Sequence, residues 1–253
     1  MSRPIYLTSD VHLGAVSRER ERSFLRWLEH AGASAERIIL NGDLFDFWFE
    51  YGSVIPRGHT RVLGALAALV DAGVPVVFMG GNHDWWGGSY LEQEVGLTFL
   101  RDPVVLDLAG RRTFLAHGDG LGRGDLAYRA LRLILRSRPT RFAFRWLHPD
   151  LGARVARGVS QTDDHGTTNA ERNRTKALEE WGVAKLRAEP DLDLVILGHA
   201  HIPVMTEVGA NRWYVNAGDW VTHHSYVVLE EGAAPSLREW EISDAGEDRR
   251  SKR

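Results

Sequence analysis

The side chains that could bind metal ions or move protons in this chain stand just after short apolar segments. Ile5–Leu7 contains strand-forming residues, and Asp10 and His12 follow it. While a chain stays extended, side chains two residues apart point to the same face. An Asp and a His that converge at the end of a strand can begin a metal site, although one such pair is weak support by itself.

Four further segments carry side chains of the same kinds. They are Asp43 with Asp46, Asn82 with His83, His117 alone, and His199 with His201. Each segment has an ordinary explanation when it is taken alone, because Asp and Asn often hold turns and histidines are often surface or half-buried residues. Together with the first pair they bring imidazoles, carboxylates and an amide to predicted strand ends of one sheet, and coincidence becomes a poor explanation.

This set of donors indicates a type of chemistry. Imidazole and oxygen ligands that share a carboxylate suit divalent ions such as Mn²⁺, Fe²⁺, Zn²⁺ or Mg²⁺. Two such ions roughly 3.5–4 Å apart stabilise both the entering and the leaving oxygen in a displacement at phosphorus. The donors therefore favour a phosphoester hydrolase that uses two divalent cations.

The elements that must position these residues alternate between strands and helices. Strands are predicted at 37–40 and 76–79, with helical spacing at 17–31 and 62–70 between the first three strands. This alternation predicts an α/β fold with parallel strands and crossover helices. Further on, the pattern predicts a hairpin (104–108 and 113–116), a helix continuing to 186, and strands at 194–197, 204–208, 213–216, 225–229 and 237–242.

The overall composition excludes several classes of protein. The 253 residues include no Cys, which rules out disulfides and thiolate ligands and is compatible with a cytoplasmic location. No apolar run approaches the ~20 residues of a membrane span, and the first residues lead directly into a strand without a signal core. The net charge is −3, yet nine Arg and only two Asp fall between residues 122 and 157.

The polar blocks resemble the signature of a known superfamily. In order along the chain they are Asp10-x-His12, Gly42-Asp43, Gly81-Asn82-His83-Asp84, His117-Gly118 and Gly198-His199-x-His201. These blocks are similar to those of the calcineurin-like metallophosphoesterases. The resemblance implies an αββα sandwich with a helical insertion, and two metal ions, expected to be Mn²⁺, at one edge.

The resemblance also implies roles for individual residues. One ion would be held by Asp10, His12, Asp43 and His201. The other would be held by Asp43, Asn82, His117 and His199, with Asp43 bridging the two. His83 would stabilise the transition state or protonate the leaving oxygen, and Asp84 would orient His83.

Within the superfamily, the chain is similar to the UDP-2,3-diacylglucosamine hydrolases of the lipid A pathway. The residues that carry this similarity are Gly42–Trp48, His117–Gly120, Asp125, Tyr128 and Gly218–Trp220. Such an enzyme would release UMP and 2,3-diacylglucosamine 1-phosphate at the membrane surface. The similarity implies a helical lid over the acyl chains at 121–186, inside a domain of residues 1–243, and we expect 244–253 to be a mobile tail.

The sequence of the insertion agrees with such a lid. Its apolar residues alternate with Arg, so that one face could meet lipid and the other an anionic phosphate. An ordinary pair of cap helices with solvated Arg side chains is the alternative. The candidate substrate contacts are Asn82, His83, Asp125, Tyr128, Arg157, Asn169, Arg172, Asn173 and Lys176.

Two other functions stay open. A metallophosphoesterase for another nucleotide, phosphodiester or phosphoprotein is supported by His83, because many members of the hydrolase family carry Arg at that position. A non-catalytic scaffold on the same fold is disfavoured because the set of ligands has no gap. Nucleic acid is not an expected partner, since aliphatic residues between the Arg residues suit lipid better.

Overall fold

The computed structural model describes residues 2–122, 126–159 and 168–241, with the main chain only for 126–128, 153 and 156–159. The strands are β1 (Ile5–Thr8), β2 (Arg37–Asn41), β3 (Val76–Met79), β4 (Thr98–Leu100), β5 (Val104–Leu108), β6 (Arg111–Leu115), β7 (Leu194–Leu197), β8 (Val204–Glu207), β9 (Trp213–Asn216), β10 (Ser225–Leu229) and β11 (Ser236–Glu239). The helices are α1 (Arg18–Gly32), α2 (Thr60–Asp71), α3 (Ser89–Gln93), α4 (Leu126–Arg136), α5 (Arg138–Arg145), α6 (Pro149–Val159) and α7 (Asn169–Ala188).

The first sheet has six strands in the order β11-β10-β1-β2-β3-β4. Strands β1 to β4 are parallel, whereas β10 is antiparallel to β1. The middle of strand β2 (Ile38–Leu40) is apolar because both of its faces are buried: Ile38 packs in the cluster under α1 and α2, and Ile39 packs against the second sheet. The sheet is therefore covered on one side by helices and on the other by strands.

The second sheet has five strands in the order β5-β6-β7-β9-β8. Leu194 and Ile196 of β7 face the first sheet, whereas Val195 and Leu197 pack beneath α7. This alternation gives each face of β7 its own apolar layer. The layers are helix, sheet, sheet and helix, and the predicted αββα sandwich is confirmed.

Most of the predicted elements are confirmed, with four differences. The second arm of the hairpin is Arg111–Leu115 rather than 113–116, and the last strand is Ser236–Glu239 rather than 237–242. Helix α3 and strand β4 were not predicted, because elements of five and three residues are too short to show a period. The prediction that one sheet supplies all the polar strand ends is wrong, since β1, β2 and β3 belong to the first sheet and β6 and β7 to the second.

The expected lid insertion, 121–186, contains the helices α4, α5 and α6 and most of α7. Arg129 and Arg132 of α4 donate to the main-chain oxygens of Gly120 and Asp119, and Arg136 donates to the Asp119 carboxylate at 2.9 Å. These three Arg residues therefore tie α4 to the loop that follows His117. The insertion also exposes large apolar side chains, which are Leu131, Leu133, Ile134, Phe142, Trp146, Leu151 and Val155.

The boundaries of the domain, the lid and the tail stay predictions. Residues 242–253, which include the expected tail, lie outside the described part of the chain.

Candidate active site

The loops that carry the candidate ligands have unusual main-chain conformations. Asp10, His12, Asp43 and His199 all have φ between 51° and 64°, in the left-handed region that residues other than Gly rarely adopt. Main-chain bonds hold the first two loops together, since the Asp10 and His12 amides donate to the carbonyls of Gly42 and Asp43 at 3.0 Å. Strained residues that are fixed in this way are concentrated at functional sites.

One group of donors forms where β1 and β7 end. Ligand atoms of Asp10, His12 and His201 lie within 4.8 Å of one another. His201 Nε2 is 3.6 Å and His12 Nε2 is 3.9 Å from Asp10 Oδ1. The other oxygen of Asp10 is held by the Ser9 hydroxyl and by the amide of His199.

A second group forms beside the first, around Asp43. Ligand atoms of Asp43, His117 and His199 also lie within 4.8 Å of one another. His117 Nε2 is 3.2 Å from Asp43 Oδ2 and 3.2 Å from Asn82 Oδ1. Because His12 Nε2 lies 3.9 Å from Asp43 Oδ2, Asp43 stands between the two groups.

Several of the imidazoles are oriented by a partner at the nitrogen that faces away from the cluster. His117 Nδ1 is 2.9 Å from the carbonyl of Asn41, so the N–H lies on Nδ1 and donates to that carbonyl. Nε2 then faces Asp43. His12 Nδ1 faces the carboxylate of Asp46 at 3.6 Å. Partners of this kind fix the tautomer and orientation of a histidine that binds metal.

His201 has two such partners, and sequence reasoning did not assign either one. Glu171 Oε1 and Asp219 Oδ2 each lie 3.5 Å from His201 Nδ1. Asp219 belongs to the Gly218–Trp220 stretch, whose sequence attracted notice only through family similarity. Glu171 had no sequence signal beyond its position three residues after Thr168, the N-cap of α7.

The described contacts give Asp84 a different role from the one expected. Its carboxylate is fully buried and accepts main-chain N–H groups from Gly81 at 2.8 Å, Phe45 at 3.2 Å and Asp43 at 3.3 Å. These bonds join the loop after β2 to the loop after β3. Asp84 therefore positions the main chain of Asp43, whereas the ring of His83 is held by the carbonyl of Asp46, 2.8 Å from its Nδ1.

Glycines allow these loops to approach one another. A Cβ at Gly81 would overlap the Asp43 carboxylate, and a Cβ at Gly198 would overlap the Ser9 hydroxyl. The two positions need a residue without a side chain because the neighbouring ligand loops occupy the space.

The electrostatics are those of concentrated, buried negative charge. Burial alone would lower the pKa of His117. The nearby carboxylates, chiefly Asp43 and Asp10, outweigh burial and hold that pKa well above its usual range. Burial raises the pKa of Asp43, yet the His117 and His83 imidazoles bring it well below its usual value. In addition, Asp10 Oδ1 is buried without a hydrogen-bond partner among the described residues. Buried charge of this kind needs a counter-charge, and the donor set fits divalent cations.

Comparison with known proteins agrees with this geometry. The family model for calcineurin-like phosphoesterases matches residues 3–203. The chain belongs to the calcineurin-like phosphoesterase family. Membership implies divalent metal ions, and the His and Asp groups described above are where the fold gathers suitable ligands.

Curated relatives of this phosphoesterase share nearly its whole length. One is the UDP-2,3-diacylglucosamine hydrolase of Porphyromonas gingivalis, 34% identical over 91% of this chain and 95% of the relative. Another is the UDP-2,3-diacylglucosamine hydrolase of Aeromonas hydrophila, 32% identical over 88% of this chain and 93% of the relative. Among solved structures, vacuolar protein sorting 29 of Cryptosporidium parvum has a TM-score of 0.46 at 13% identity and covers 93% of this chain and 95% of its own.

The phosphoesterase fold thus brings together all seven expected metal ligands and His83, but not the expected contacts on α7. Asn169, Arg172, Asn173 and Lys176 are exposed, and no hydrogen bond or ion pair among the described residues joins them to the cluster. Asp125 and the side chains of Tyr128 and Arg157 lie outside the described part of the chain.

The insertion packs against loops that border the site. The Phe144 ring lies 4.7 Å from that of Phe49, and the Arg136 guanidinium lies 4.8 Å from the centre of the Trp85 ring. Trp85 follows His83 and Asp84 directly in sequence. Of the helices in the described residues, none is long and apolar enough to cross a membrane.

Proposed function

We propose that this phosphoesterase hydrolyses the pyrophosphate of UDP-2,3-diacylglucosamine. Water adds to phosphorus, the bridging oxygen leaves, and the products are UMP and 2,3-diacylglucosamine 1-phosphate. The observation that carries this proposal is the convergence of the seven expected ligands and His83 at one edge of the sandwich, where Asn82 joins the group through its contact with His117. The names of relatives that match nearly the whole chain support the choice of substrate.

The proposal includes two cation positions, with Mn²⁺ as the expected ion. One set of ligands is Asp10, His12, Asp43 and His201, and the other is Asp43, Asn82, His117 and His199. Divalent cations in such a pair supply Lewis acidity, which lowers the pKa of water and neutralises charge on phosphoryl oxygens. The protein contributes ligand positions that buried hydrogen bonds fix in advance.

His83 is proposed to act on the phosphate. Its Nδ1 is 2.8 Å from the carbonyl of Asp46, and its Nε2 lies 3.9 Å from Asp43 Oδ2, so the ring presents Nε2 towards the cluster. The amide of His83 donates to Asp43 Oδ1 at 2.9 Å, which fixes the residue next to that carboxylate. From this position a protonated Nε2 can donate to a phosphoryl oxygen or protonate the leaving oxygen.

The insertion is proposed to act as a lid that meets lipid. Leu133 of α4 is 72% exposed and Trp146, directly after α5, is 77% exposed, so this part of the insertion presents apolar side chains to its surroundings. Large apolar side chains exposed together on one segment are typical of interaction sites. Because the substrate carries two acyl chains, we propose that the enzyme works as a peripheral protein on the cytoplasmic face of the membrane.

A second candidate function keeps the chemistry and changes the substrate. The candidate contacts Asn169, Arg172, Asn173 and Lys176 of α7 make no described contact with the cluster, and this favours a smaller nucleotide or phosphodiester that does not need them.

An assay with the purified, Mn²⁺-loaded protein distinguishes the two functions. UDP-2,3-diacylglucosamine in detergent micelles should release UMP, and Asp43→Ala should abolish that release. Hydrolysis of a soluble model diester without any release of UMP would reject the lipid substrate and leave the second candidate.

A further inference from the structure

The described contacts of the turn at Gly218–His223 with the cluster are made to one of the two groups of donors. The amide of Trp220 donates to the carbonyl of Asp10 at 3.0 Å, and Asp219 faces the ring of His201. Asp10 and His201 both belong to the group that forms where β1 and β7 end. A perturbation of this turn should therefore act on a single cation position.

The two oxygens of the Asp219 carboxylate have different surroundings. Oδ1 accepts the amides of Thr222 at 3.0 Å and His223 at 2.8 Å, and it lies 3.1 Å from His223 Nδ1. Three donors saturate that oxygen and fix the carboxylate, which is only 1% exposed. Oδ2 is the oxygen that faces His201.

His201 can bind a cation through one nitrogen only. Its Nε2 faces Asp10, so in a neutral ring the proton must sit on Nδ1, where an acceptor selects that tautomer. Two carboxylates compete for this role at the same distance of 3.5 Å, namely Asp219 and Glu171. Glu171 is partly exposed, and its other oxygen accepts the amide of Thr168 in the N-terminal cap of α7.

We propose that Asp219, braced by His223, is the positioning residue that fixes His201 as an Nε2 ligand and thereby sets the affinity of one of the two cation positions. Glu171 makes a lesser contribution, since a partly exposed carboxylate on a helix terminus is held less firmly than a buried one with three donors. The inference rests on the cation-binding part of the proposed function and not on the identity of the substrate.

The test uses the full-length protein loaded with Zn²⁺, which is diamagnetic, and measures bound metal and the protonated nitrogen of His201. In the unmodified protein, long-range ¹H–¹⁵N spectra of the imidazoles should show the proton of His201 on Nδ1. Asp219→Asn should weaken one of the two Zn²⁺ binding steps by about 10–100-fold and leave the other unchanged. Glu171→Gln, which alters a carboxylate at the same distance from the same nitrogen, should weaken it less.

Several results would overturn the assignment. A proton on Nε2 of His201 in the unmodified protein would do so without any variant. Equal weakening of both binding steps by Asp219→Asn would indicate a general structural role, and a larger effect of Glu171→Gln would transfer the role to Glu171. If Asp219→Asn does not fold, Asp219→Glu should restore folding and Nδ1 protonation together. None of these measurements needs turnover, so a failed lipid substrate leaves them intact.

Discussion

Replacing the buried carboxylate of Asp84 should destabilise the protein by an amount that the structure allows us to estimate. Asp84 accepts three main-chain N–H groups, two on Oδ1 and that of Phe45 on Oδ2. In Asp84→Asn one oxygen remains, so the Phe45 N–H would face an amide group that cannot accept it. A buried donor without a partner costs about 1–3 kcal/mol. For a chain of this size, a loss of about 2 kcal/mol lowers the Tm by roughly 4–8 °C.

A second effect makes the decrease in stability of Asp84→Asn depend on bound metal. Burial and the charge of Asp43 raise the pKa of Asp84, so replacing its carboxylate with a neutral amide also relieves a repulsion. Cations that neutralise Asp43 reduce that repulsion beforehand. The decrease in Tm should therefore be larger in Mn²⁺-loaded protein than in metal-free protein.

Thermal unfolding followed by circular dichroism, with and without Mn²⁺, measures both effects. The matched control is Asp107→Asn, because Asp107 accepts one main-chain N–H, that of Gly110, in an exposed turn. The control should change the free energy of unfolding by less than about 0.5 kcal/mol. If Asp84→Asn and Asp107→Asn have the same Tm in Mn²⁺, the proposed support of the Asp43 loop by Asp84 is wrong.

Three further predictions concern the ligands, His83 and the lid. His83→Ala should lower kcat by about 10²–10⁴-fold while bound metal, measured by mass spectrometry, stays constant, and loss of metal would contradict its role at the phosphate. Gly198→Ala should reduce bound Mn²⁺, because its Cβ would crowd the Asp10 carboxylate, whereas Gly64→Ala on the open face of α2 should bind Mn²⁺ normally. Trp146→Ser, which removes a ring that is 77% exposed, should weaken sedimentation with lipid vesicles and leave the Tm within about 2 °C, and unchanged sedimentation would argue against a lipid-facing lid.

The sequence predicted those parts of the site that depend on strand ends. Apolar runs such as Val76–Met79 and Leu194–Leu197 matched the observed strands, because strands buried on both faces have no polar interruptions. Polar residues directly after such runs must lie at one edge of a sheet. The structure brings these side chains near one another even though the strands belong to two sheets, and their role as ligands stays a prediction.

The parts that were missed depend on contacts between distant segments. Asp219 reaches His201 because β9 lies parallel beside β7, so that the loops after the two strands meet, and no spacing in the sequence shows that these strands are neighbours. Asp84 was assigned to the ring of His83, its sequence neighbour, but the loop turns its carboxylate towards the main chain of Asp43 and Phe45. On α7, helical spacing grouped Asn169 with three other polar residues, although it cannot distinguish a face that contacts a site from one that contacts water.

The most direct test of the two-cation site is a crystal structure of the protein grown with Mn²⁺, analysed by anomalous scattering. Two peaks should lie on either side of the Asp43 carboxylate, one bordered by Asp10 and His201 and the other by His117 and His199. A single peak away from Asp43, or no peak within reach of these side chains at saturating Mn²⁺, would contradict the proposed hydrolase mechanism.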